Sequence, residues 1–218
     1  MPSSRPLCLF ALIALLATPT WAAIRVGRLK YGGGGDWYAN PSSVPNLLQF
    51  AREQTTLDLP AQPDVVSLGD DKLMDYALLF ATGHGRIRFT ATEAARLRRY
   101  LLAGGFLHVD DNYGLDETLR PALRTVFPDR ALTEIPFAHP IYHGVFDFPE
   151  GLPKIHEHHG GPPRGYGLLH ENRIMLFYSY NTDLSDGWES PEVHHDPPER
   201  RRAALRMGLN IVVYALTH

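Results

Sequence analysis

The segment Gly104-Gly105-Phe106-Leu107-His108-Val109-Asp110-Asp111-Asn112 admits few structures. Phe106, Leu107 and Val109 make a short apolar, β-prone run, and the glycine pair before them stops a preceding helix, because glycine accepts the left-handed cap conformation. An apolar strand that breaks off on two carboxylates and an amide belongs in the middle of an open parallel sheet. In such sheets ligands occupy the crevice outside the carboxyl ends of the strands, so Asp110, Asp111 and Asn112 fall where a site is expected.

The flanking segments keep the rhythm that such a sheet needs. Ile24 to Tyr31 alternates apolar and polar residues, which predicts a first strand at an edge or half covered. Gly32 to Gly35 follow it and lead into Asp36-Trp37-Tyr38. They lack the spaced glycines and the Lys-Ser/Thr pair of a phosphate-binding loop, so they form a loop that displays Trp37. Ser43 is placed to cap a helix whose apolar positions are Val44, Leu47, Leu48 and Ala51. Asp64 to Leu68 is a second strand. Tyr76 to Ala81 is a third, apolar throughout as in a strand buried on both faces, and it ends in Thr82-Gly83-His84-Gly85. Glycine on each side of His84 lets the backbone turn sharply and leaves the imidazole at a strand end. Thr90 and Glu93 form a capping box for the next helix, with Ala94, Leu97, Tyr100 and Leu101 inward. Leu115 to Val126 is a further helix. Strand and helix in alternation predict an α/β fold with helices on both faces of a mostly parallel sheet.

Beyond residue 129 the alternation loosens. Ala131 to Ile135 reads as a short strand, Phe148 to Gly165 as a loop rich in Pro, Gly and His, and Arg173 to Tyr180 as a strand. Ser185 to Pro198 reads as a second irregular loop, opening on Asp186-Gly187-Trp188-Glu189. A closing helix runs from about Glu199 to Leu216.

A net charge of -3 argues against a nucleic-acid partner, which would require a basic face. Arg5, the apolar run Leu7 to Ala17 and the small residues Thr20 and Ala22 predict a signal peptide over residues 1–22, cleaved after Ala22. The expected mature chain, residues 23–218, is a single domain, periplasmic or secreted, with no transmembrane segment. Cys8, the only cysteine of the chain, lies within the signal, so the mature protein has neither a disulfide nor a thiolate nucleophile.

Several motifs together carry a resemblance. Thr82-Gly83-His84-Gly85, Gly104-Gly105-Phe106-Leu107 with Asp110-Asp111, His139-Pro140-Ile141-Tyr142 and Gly208-Leu209-Asn210-Ile211-Val212-Val213-Tyr214-Ala215 resemble the DUF4159 family. Asp36-Trp37 and Asp186-Gly187-Trp188-Glu189 add to the match. The resemblance implies a flavodoxin-like, class I glutamine amidotransferase-like three-layer sandwich, in a family with no established activity. Relatives in that wider group use a cysteine on the turn after a central strand. The corresponding turn here, His108 to Asn112, has none, so the thiolate route is closed. Family members that form the C-terminal part of bacterial membrane proteins imply a sensing or assembly role in the envelope.

Two functional readings follow. The first is a non-catalytic binding or interaction module, for a small molecule or an envelope protein, with Trp37, His84, Asp110, Asp111 and His139 around a strand-end pocket. The second is a hydrolase in which Asp110 or Asp111 is a general base partnered by His84 or His139, with or without a metal. Adjacent residues on a strand point to opposite sides, so one of the two aspartates faces the pocket while the other caps the following helix; that both serve caps and turns stays open. No cofactor is required by the sequence, but a divalent metal is compatible with its 11 histidines. His156, His158 and His159 make one dense cluster and His194-His195-Asp196 another, neither with the spacing of a zinc hydrolase.

Overall fold

The computed structural model describes residues 23–218. The signal peptide expected over residues 1–22 lies outside the described residues. A seven-stranded sheet is built from β1 (Val26–Lys30), β2 (Asp64–Ser67), β3 (Leu78–Ala81), β4 (Phe106–Asp110), β5 (Thr133–Glu134), β6 (Arg164–His170) and β7 (Arg173–Tyr180) in the order β2-β1-β3-β4-β7-β6-β5. The strands from β2 to β7 in that order run parallel, while β6 is antiparallel to β7 and β5 to β6. The helices are α1 (Ser43–Gln54), α2 (Ala91–Leu102), α3 (Asp116–Val126), the single turn α4 (Pro191–His194) and α5 (Pro198–Thr217). The result is a flavodoxin-like three-layer α/β sandwich. No helix among the described residues is long and apolar enough to cross a membrane.

β4 shows how the layers are assigned. Leu107 and Val109 join a core with Leu97 and Tyr100 of α2 and Leu119 and Leu123 of α3. Phe106 joins the opposite core, with Leu47 of α1 and Leu209 and Val212 of α5. This is the two-residue period of a strand buried on both faces. Each fully buried Leu or Phe contributes about 1.5–3 kcal/mol, so the two faces supply most of the driving force for folding.

The glycine pair before β4 serves two purposes. Gly104 has φ +107°, and it follows α2 with open space around the position a Cβ would take. Gly105 is needed because the Tyr100 ring lies where its side chain would be, with Cζ 2.3 Å from an ideal Cβ. Tyr100 is held there by a hydroxyl that donates to Phe106 O at 3.0 Å and accepts from Phe106 N at 3.2 Å. The capping box of α2 forms as expected: Thr90 Oγ1 accepts from Glu93 N at 3.2 Å, and Glu93 Oε2 accepts from Thr90 N at 2.8 Å.

Four expectations need correction. β1 is not an edge strand: it lies between β2 and β3, and its polar positions are accommodated inside. Arg28 is buried and donates to Asn40 O at 3.0 Å, and Gly27 leaves room for Leu79 and Val66. The N-cap position of α1 is Ser42, while the Ser43 hydroxyl donates back to Asn40 O at 2.7 Å. β6 was not expected at all, because Gly165 and Gly167 thin its apolar run. Gly165 is required by packing, since a Cβ there would meet the Tyr142 hydroxyl at 2.1 Å. Its hairpin with β7 turns on Glu171 and Asn172, both at positive φ. The segment Ser185 to Pro198, expected as an irregular loop, holds a 3-10 turn at Asp186–Trp188 and the helical turn α4. Trp188 is buried, and its Nε1 donates to Ala204 O of α5 at 2.8 Å.

Gly105→Ala is expected to cost about 1–3 kcal/mol through displacement of the Tyr100 ring, and Gly104→Ala about 1–2 kcal/mol through backbone strain alone. Urea unfolding measures both. A Gly105→Ala midpoint equal to that of the unsubstituted protein would contradict the steric account.

Candidate functional site

β4 and β7 pair in register, so Asp110 lies beside Ser179. Ser179 Oγ donates to Asp110 Oδ1 at 2.5 Å. The chain then leaves β7 through Asn181 and Asp183, both left-handed with φ +57° and +55°, and folds back over the strand ends. Asp110 receives it there: Leu184 N donates to Oδ1 at 3.3 Å, and Ser185 N and Oγ donate to Oδ2, each at 2.7 Å. Burial pushes the Asp110 carboxyl up to about 7 against the pull of these donors, and the nearby charge of Asp183 adds to the rise. Asp111 turns to the other side. It accepts from Leu115 N, at the start of α3, at 2.9 Å and from the Tyr178 hydroxyl at 3.1 Å, and burial raises it too. Both aspartates are buried and serve turns and caps.

What the returning chain carries is the concentration of charge. Asp186 Oδ1 accepts from Asn40 Nδ2 at 2.5 Å and from Asn112 Nδ2 at 2.7 Å, which leaves Oδ2 facing the His156 Nδ1 at 3.0 Å. Asn112 is itself held by Thr82 Oγ1, which donates to its Oδ1 at 2.7 Å. His156 Nε2 lies 3.1 Å from Asp196 Oδ2, whose other oxygen is 3.5 Å from Arg200. His158 Nε2 touches Asp183 Oδ2, and His194 Nε2 approaches Asp186 Oδ2 at 3.7 Å and Glu189 Oε2 at 3.9 Å. The loop bearing His156 is tied down by Ile155 N, which donates to Thr182 O at 2.9 Å, and by Lys154 Nζ, which donates to Asn181 Oδ1 at 2.7 Å.

Two groups in this nest are unusual. The carboxylates of Asp183 and Asp186 hold the His156 imidazole protonated, raising it to about 10. Asp183 is 1% exposed, and neither of its oxygens accepts an aligned hydrogen bond, although His158 and His156 flank it. A buried carboxylate with no aligned donor is costly, and burial raises its pKa against the opposing pull of the His156 and His158 imidazoles.

The residues anticipated from sequence are distributed unevenly. Trp37 is half-buried against the core on the α2 and α3 side, with the Lys30 ammonium 5.5 Å from its ring centre, so it is not an open platform. His84 stands at the end of β3, half exposed, and its partner is Asp36, whose Oδ2 lies 3.0 Å from Nδ1. His139 is at the opposite end of the sheet. Its ring packs 5.5 Å from that of Tyr214, whose hydroxyl accepts from Ile174 N near the start of β7. At the rise of an extended strand that is roughly 17 Å from Ser179. Pro140 starts a 3-10 turn after His139, which directs the segment against α5 instead of the strand ends. Of the first histidine cluster, His156 and His158 enter the nest. His159 stacks instead on Tyr113 and Tyr180, at 5.2 and 6.5 Å. His194 and Asp196 join from the second cluster.

Asp183 and Asp186 did not stand out in the sequence as site residues. Their signal is position: Asn181-Thr182-Asp183 directly follows an apolar strand that pairs with β4. The large surface cavities lie elsewhere. One of about 570 Å³ sits between α2 and α3, lined by Ala94, Arg98, Val126 and Asp129 among others, and its charged pair, Arg98 and Asp129, is already joined at 3.3 Å.

Behind the nest, Ser179 Oγ is also 2.9 Å from His108 Nε2, and burial holds this imidazole down at about 3. Between pH 6.5 and 4 the unfolded chain binds a proton at His108 that the native state refuses, so this group lowers stability on acidification. Asp110 acts in the opposite sense. Between about pH 4 and 7 its native carboxyl keeps a proton that the unfolded chain has lost, so its contribution falls as pH rises. The two slopes cancel in the intact protein. Asp110→Asn is expected to unmask His108 and lose about 1.4 kcal/mol per pH unit relative to the parent from pH 6.5 towards 4.5, and His108→Gln to show the opposite trend. Parallel stability curves for all three proteins would refute the compensation.

No curated protein matches this chain. The model of the family described as Domain of unknown function (DUF4159) matches residues 25–216, from the start of β1 to the last turn of α5. The chain belongs to the DUF4159 family.

Proposed function

We propose that this domain is a ligand-binding module that takes a positively charged ligand at the carboxyl ends of β4 and β7. The observation that carries this reading is Asp183, a buried carboxylate whose oxygens accept no aligned hydrogen bond and meet only the imidazoles of His156 and His158, beside Asp186 and Asp196. Asp183 and Asp186 share the His156 imidazole, with His158 and His194 at the rim and Arg200 engaged at Asp196, and a bound cation would add positive charge where the two carboxylates meet. The rest of the site supports binding more than turnover. Asp110 and Asp111 spend their oxygens on turns and caps, and His139 lies at the opposite end of the sheet from them.

Asp183→Asn tests the reading. It removes the charge with little change of shape, so stabilisation by cationic ligands is expected to be lost while the fold is retained. Guanidinium-bearing and diamine compounds and divalent ions, screened by thermal shift, supply the probes. A folded variant that still responds to the same ligands would overturn it.

A hydrolase is the second reading, favoured by one pair. Asp36 accepts from the His84 main-chain N and also faces its Nδ1, which orients the imidazole as in a carboxylate-backed general base. On that reading His84→Gln abolishes turnover and leaves cation-induced stabilisation intact.

Binding would take place in the periplasm or outside the cell, the address read from residues 1–22. Exported material is expected to begin at Ala23 by intact mass; a retained Met1 would remove this address.

A further inference from the structure

We infer that the cation is a divalent transition metal ion with the ligand preferences of zinc, held by His156, Asp183 and Asp186 with His158 and His194 closing from either side. This rests on the binding reading above and names its ligand. The ion displaces to solvent the proton that His156 Nδ1 carries in the free protein. Two groups of donors, His156 with His158 and Asp183, and His156 with Asp186 and His194, each place their ligand atoms within 4.8 Å of one another. His156 Nδ1 lies 3.0 Å from Asp186 Oδ2 and 3.5 Å from Asp183 Oδ2, and His194 Nε2 lies 3.7 Å from Asp186 Oδ2. Donors bound to one ion at about 2.0–2.1 Å are separated by roughly 3.0–3.5 Å in octahedral or tetrahedral arrangements. These three separations lie within a few tenths of an ångström of that spacing, while His158 Nε2 and Asp183 Oδ2 stand closer and would part to admit the ion.

The surrounding shell has the form expected of a metal centre. A ligating histidine usually gives its second ring nitrogen to a carboxylate. His156 does so, with Nε2 on Asp196 Oδ2 at 3.1 Å and Asp196 in turn facing Arg200. Ligating carboxylates are likewise steadied through one oxygen, and the amides of Asn40 and Asn112 do this for Asp186, both through Oδ1. Asp183 supplies the independent observation: its carboxylate is 1% exposed, accepts no aligned hydrogen bond on either oxygen, and faces the imidazole nitrogens with which it would share an ion. Up to three imidazoles among the donors favour zinc, nickel or copper over calcium and magnesium, which prefer oxygen throughout. The alternative occupant, an organic cation, needs an acceptor array open enough to admit it. Here the carboxylates lie beneath imidazoles whose ring nitrogens already face them.

Titration calorimetry of zinc chloride into chelator-stripped, untagged protein decides the matter, with melting temperature recorded in parallel. One ion per chain is expected, with binding weakened at least 100-fold by Asp183→Asn or His156→Asn. His158→Gln, a substitution on a half-exposed side chain, is expected to weaken it at least 10-fold and serves should either buried variant fail to fold. His159→Asn is expected to bind as the parent does. Zinc that binds equally well to all the variants would place the site elsewhere and overturn the inference. Absence of zinc binding together with Asp183-dependent stabilisation by a diamine or guanidinium compound would overturn the metal and leave the binding reading standing. Absence of any Asp183-dependent stabilisation would overturn both.

Discussion

The carboxylate of Asp110 joins parts of the chain that sequence separates widely, since it accepts from Ser179 on the neighbouring strand and from Leu184 and Ser185 on the segment that folds back over it. Those contacts decide where Asp183 and Asp186 come to rest. A backbone leaving β7 without that acceptor would have unpaired amides to bury, which cost about 1–3 kcal/mol each. Asp110 thus acts through geometry. It makes the turn after β7 a defined object, and the turn makes the site.

Around this centre the protein arranges its buried polar groups in two grades. Asp110, Asp111, Asn112, Ser179 and Ser185 satisfy one another and the backbone, as buried polar groups must. Asp183 stands outside that satisfaction, and Asp186 has one oxygen anchored by amides while the other faces imidazole. At its outer end the network leaves Asp183 with no aligned hydrogen bond and only the partly solvated imidazoles of His156 and His158 against it. The same division separates the residues that hold the fold from those offered to a ligand.

Parts of the fold were legible because they rest on local causes. The apolar runs of β3, β4 and β7, the Thr90–Glu93 box and the long stripe of α5 each follow from a few consecutive side chains. β6 is hidden in the sequence because Gly165 answers to Tyr142 and Gly167 to Ile135, each more than twenty positions away in the chain. Trp188 looked like a loop residue because its partner, Ala204 O, is on a helix that reaches it only in the folded molecule. His139 was assigned to the strand ends on the strength of its type, although its place is set by Pro140 and by Tyr214 of α5.

By itself the sequence determined the class of fold, the central strand that ends on two aspartates, and a family whose model spans residues 25–216. It did so because strand period, helix caps and glycine turns are short-range effects written into neighbouring residues. Which carboxylates would be spent on the backbone and which left over was decided only by tertiary structure. That outcome depends on donors brought from Asn40, Ser179, Ser185 and the His156 loop to one point, and a hydrogen bond between residues a hundred positions apart leaves no periodicity to read.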